Sequence, residues 1–80
     1  MPDLIFPGHA SDEMANDSIS EAEVYHVVED ADDILERDDG RTEYRRLLDD
    51  GRSILVVVEN DGITVVSVWW DKRRSRRRRR

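Results

Sequence analysis

The sequence predicts an α+β fold: two N-terminal helices packed on a four-stranded antiparallel meander, followed by a disordered basic tail. Three observations carry this reading. A capping box at Ser20 opens an apolar stripe of helical period. From Ile34 onward the apolar period becomes two, which is the strand period. Asp-Gly pairs at 39–40, 50–51 and 61–62 then recur every eleven residues between β-rich runs. Residues 1–71 make one small domain and 72–80 the tail.

The elements follow in order. Residues 1–8 are a lead with Pro2, Pro7 and Gly8; its triplet Leu4-Ile5-Phe6 either adds an edge strand or covers the core. His9 to Asn16 places Ala10 and Met14 at i, i+4, a short helix. In the second helix Ser20 is the N-cap and Glu23 the third helical residue, with Ile19 and Val24 placed as a hydrophobic staple. Val24, Val27, Val28 and Ala31 form its stripe, and Glu21 and Glu23 suit the positive end of the helix dipole. The strands are Ile34–Arg37, Thr42–Leu48, Ser53–Glu59 and Ile63–Trp70.

If each Asp-Gly is a two-residue type I′ turn, the register follows by counting. One face then aligns Leu35, Tyr44, Val57 and Val66; the other holds Glu36, Glu43, Arg45 and Ser67 together with Ile34, Ile54, Val56 and Val58. The second, half polar, is the expected outward side. Two helices can cover one face only, so the other meets a second subunit, a partner protein, the folded-back lead or a ligand, or else its charges pair across strands in solvent.

The chain has 80 residues, no cysteine, 40% charged residues and 6% aromatics. It is too short for a large cofactor-binding enzyme and has no disulfide framework, thiolate zinc site or cysteine nucleophile. Its longest apolar run, Ile54 to Val58, is far below a membrane span, and no signal peptide is visible, so a cytoplasmic protein without membrane contact is expected. The net charge of −6 splits into −14 over residues 1–71 and +8 over Lys72–Arg80. The acidic runs lack the calcium-loop pattern, and no metal or other cofactor is expected. His26 lies opposite the apolar stripe and reads as a solvated surface residue.

His9-Ala10, Met14, Ile19-Ser20, Val24 and Val28, then Gly51-Arg52, Ile54 to Val58 and Val65 to Trp69, resemble the bacterial and archaeal family called domain of unknown function 4258. The resemblance covers roughly residues 4–71. It implies a likeness to small helix-plus-sheet ribonuclease toxins of the RelE and BrnT type, and so a toxin–antitoxin pair in which an antitoxin or a second copy covers the second sheet face. RNA cleavage needs a base, an acid and cations for the phosphorane. On this reading His9 is the base, Arg45 and Arg46 the catalytic cations and Arg52 a phosphate contact, with Tyr44 to donate a proton or stack a base. Family members tend to carry arginine just before the methionine and again three residues after it. Here those positions are Glu13 and Asp17, and Leu55 replaces a frequent histidine. These departures favour the alternative, a non-enzymatic protein-interaction or RNA-binding module on the same scaffold.

The tail has three open roles: phosphate binding through Arg73, Arg74, Arg76 and Arg77, a counter-charge folded back on the acidic domain, or a neutral end to the reading frame.

Overall fold

The first helix, α1 (Gly8–Asp17), buries Ala10 and Met14 as their spacing predicts. It ends in a Schellman arrangement, in which Ser18 N–H donates to Ala15 O and Ile19 N–H to Met14 O. Ser18 takes φ 57°, a conformation that costs an L-residue about 1–2 kcal/mol. Ser18→Gly is therefore expected to stabilise the protein by up to about 1 kcal/mol in urea unfolding, the residual after glycine's extra chain entropy. In α2 (Glu21–Glu29) the capping box is complete: Glu23 N–H donates to Ser20 Oγ at 3.1 Å, and Ser20 N–H donates to Glu23 Oε1 at 2.9 Å. Val24 and Val27 are buried, whereas Ala31 lies beyond the helix. The computed structural model describes residues 3–49 and 51–71.

The sheet is the expected meander, in the order β1-β2-β3-β4, of β1 (Asp33–Glu36), β2 (Thr42–Leu47), β3 (Ser53–Val58) and β4 (Val65–Asp71). Its register differs from the count. Arg37 and Arg41 pair by Arg37 N–H to Arg41 O, and Gly40 N–H donates to Arg37 O, so the loop holds residues 38–40. Leu48 and Arg52 bracket residues 49–51 in the same way. The first is a type I turn closed by a glycine, and Gly40 and Gly51 stand at φ 89° and 90°. The physical reason is that a type I′ turn puts both central residues at positive φ, whereas in the first loop Gly40 goes there and Asp39 does not. Among the described residues, Ser18 is the one non-glycine with positive φ.

One extra loop residue exchanges the faces of β1 and β3 relative to β2. Ile34, Tyr44, Val56 and Val68 now share a row, as do Leu35, Glu43, Val57 and Ser67. The third hairpin keeps its counted pair Val58↔Val65, then shifts by one between Val57 and Val58, leaving Val66 as the extra residue of a bulge. The Asp61 carboxylate holds this turn. It accepts Thr64 Oγ1–H and the N–H groups of Ile63 and Thr64, and these bonds keep its pKa below the ordinary value. A depressed folded pKa stabilises the fold above the ordinary carboxylate pKa, and that contribution is lost as the pH falls through the lowered one.

Both helices lie on the face of Ile54, Val56, Val58 and Val68, which with Val24, Val27, Met14 and Leu4 form the core. So Val56, Val58 and Ile54, expected outward, are inward, while Glu43, Arg45 and Ser67 face out as expected. The lead does both things the sequence left open. Leu4 joins the core, and Ile5 makes a parallel bridge to Thr64 beside β4. Helix α1 completes that edge: Glu13 Oε1 accepts Val68 N–H at 3.1 Å, and Trp70 Nε1–H donates to Asp17 O at 3.0 Å. At the opposite side the sheet order ends with β1. No helix among the described residues is long and apolar enough to cross a membrane.

Candidate functional site

Adjacent residues of a strand point to opposite faces, so β2 separates the two candidate arginines. Arg45 faces out, its Nη2 at 3.4 Å from Asp33 Oδ2 and its Nη1 at 3.6 Å from Asp71 Oδ2. Two carboxylates bracket that guanidinium, and a phosphate would have to displace them. Arg46 faces the helices and donates from Nη1 to the Asp30 carbonyl at 3.0 Å. A carbonyl anchors the guanidinium without neutralising its charge.

Arg46 stands at the mouth of a pocket of about 320 Å³ between α2 and the ends of β2 and β3. Its floor is apolar, built from Val27, Ile54, Leu48 and Ala22, and its polar rim from Arg46, His26 and Glu23. The volume is at the lower end for small-ligand sites, and an apolar floor with few polar groups is their usual chemistry. The helix sets this rim. His26 and Asp30 are four residues apart on one face, with His26 Nε2 at 3.4 Å from Asp30 Oδ2. Asp30 thus touches both rim groups, the imidazole through its carboxylate and Arg46 through its carbonyl. Glu23 is committed to the capping box, which leaves His26 and Arg46 as the groups that can act on a ligand.

His9 is elsewhere. It lies on α1, its side chain 72% exposed, with Nε2 at 3.2 Å from Glu13 Oε2. Helix α1 packs along β4, whereas α2 packs on β2 and β3, so His9 and Arg46 belong to different helix–sheet contacts. Arg52 lies over the Trp70 ring at 4.3 Å, a cation–π contact. Tyr44 is half-buried against the core. Arg73, Arg74, Arg76 and Arg77 lie outside the described residues. His26 was missed by sequence reasoning. Its spacing to Asp30 was legible, but its neighbour Arg46 is twenty positions away and arrives only through packing of α2 on the sheet. No group of three metal-ligating side chains occurs among the described residues.

Two helices on one face of a four-stranded meander, with a cation and an imidazole over an apolar helix–sheet pocket, define a small α+β protein with one candidate ligand site. The chain belongs to the family described as domain of unknown function (DUF4258), whose model matches residues 6–70. No curated protein and no solved structure matches it.

Proposed function

We propose that this protein is a toxin-like ribonuclease of a toxin–antitoxin pair, with the α2–β2 pocket as its RNA site. The observation that supports the reading is the pairing of Arg46, whose charge is met by a carbonyl, with His26, held by Asp30, on the rim of an apolar pocket. An unstacked base of single-stranded RNA lies on Val27 and Ile54, and the following phosphate meets Arg46. With Nε2 turned to Asp30, His26 takes the 2′-hydroxyl proton on Nδ1. The 2′-oxygen attacks phosphorus, the bond to the 5′-oxygen breaks, and that oxygen collects a proton from water at the pocket mouth. The products are a 2′,3′-cyclic phosphate and a 5′-hydroxyl. The toxin–antitoxin part of the reading rests on the likeness to small helix-plus-sheet toxins.

Induced expression should arrest growth, and purified protein should cut single-stranded RNA. Removing a general base or a transition-state donor costs on the order of 100-fold or more, so His26→Ala and Arg46→Ala should each abolish arrest and slow cleavage by that order. His9→Ala and Arg45→Ala, at the other two candidate positions, report whether the site lies where the sequence first placed it. Loss of cleavage in these two alone would move the site away from the pocket. Harmless expression together with intact RNA would end the enzyme reading. The non-enzymatic alternative has one observation in its favour: Ile34 and Leu35, 61% and 57% exposed, sit on the terminal strand β1, where a partner strand can add.

A further inference from the structure

The sheet face opposite the helices carries three buried residues. Ser53, Val57 and Asp71 are 2%, 2% and 8% exposed, yet both helices and the lead's Leu4 lie on the other side of the sheet. Around them are a groove of about 200 Å³ lined by Leu35, Leu55, Glu43 and the Asp33–Arg45–Asp71 cluster, and Trp69, 37% exposed. We propose that residues 72–80 of the same chain dock on this face.

Position, reach and charge each support that occupant. Asp71 pairs with Ser53, which pairs with Leu47, and Leu47 N–H donates to Asp32, so the segment leaves the sheet at the end where β1 begins. From there the face is about 14 Å wide, three strand spacings. Nine residues reach up to about 30 Å. The face's formal charge is −1, from Asp33, Glu43 and Asp71 against Arg45 and Arg37, whose Nη1 lies 3.3 Å from Glu43 Oε2, and the segment's is +8. Arginine suits a surface that is both acidic and apolar, because its stem covers leucine and its planar head stacks on tryptophan. The same face of a second copy would bring another net negative charge rather than a complement. An antitoxin reaching this face would have to displace the segment, so the occupant also sets the order in which a partner can bind.

The chain has no cysteine, so Ser75→Cys in the full-length protein places a single nitroxide label in the segment. The expected result is loss of amide signal at Leu35, Glu43 and Val57, stronger than at Ala22 and His26 behind the sheet. It should be weakened by Glu43→Lys and at about 1 M salt, where the Debye length is ~3 Å. Signal loss restricted to the residues next to Asp71, or equally strong on both sides of the sheet, overturns the proposal. So does signal loss in unlabelled-spin protein mixed with spin-labelled protein, since the segment of a second copy would then be the occupant.

Discussion

Ile54→Ala is expected to destabilise the protein by about 2–5 kcal/mol, the usual range for emptying a core site of this size. In a domain of this length that lowers the melting temperature by roughly 10–40 °C. Ile54 is 2% exposed and lies under α2, between Arg46 and Trp70 in the sheet. Ile34→Ala removes the same atoms from a side chain that is 61% exposed, and its cost should stay within about 0.5 kcal/mol. Both isoleucines lie on the helix side of the sheet, so the pair measures how far the helices cover it: Ile54 sits under α2, whereas Ile34 is on the open edge strand β1. Urea unfolding with unchanged slopes measures both, and equal losses would mean that the cover extends over β1.

Glu13→Arg is the second large effect, expected at about 1–3 kcal/mol, because it leaves the Val68 N–H without its acceptor. Val68 is fully buried, and Glu13 closes the edge of β4 where another chain could otherwise pair. The substitution installs the residue type that the family resemblance places before the methionine, so it also tests whether this chain uses position 13 differently. Glu13→Gln keeps an acceptor oxygen and should cost less than about 1 kcal/mol. Amide exchange at Val68 should accelerate in Glu13→Arg and change little in Glu13→Gln. Unchanged exchange in the arginine variant would mean that α1 does not seal the strand. This role of Glu13 explains how an acidic residue on α1 serves the fold.

Local signals carried most of the element assignment. Ser20 and Glu23 place the start of α2 because a cap is a contact between residues three apart, and Ala10 with Met14 needs only helical geometry. The strands appear within one or two residues of their expected bounds because alternation and Asp-Gly punctuation are local as well. The candidate site was legible only in fragments. Arg46 was among the candidates, but its partition from Arg45 depends on which face α2 covers, and His26 comes to share a pocket with Arg46 only when α2 docks.

The sequence by itself determined the two helices, the four strands, their order of connection and the split of charge between residues 1–71 and 72–80. Each of these depends on neighbours in the chain or on composition. Tertiary structure decided the register, and through it which valines are core, which arginine meets the pocket and which face stays clear of helices. The physical reason is the two-residue period of a strand. One additional residue in a loop, selected because glycine rather than aspartate takes the positive φ, inverts every side chain of the strand beyond it.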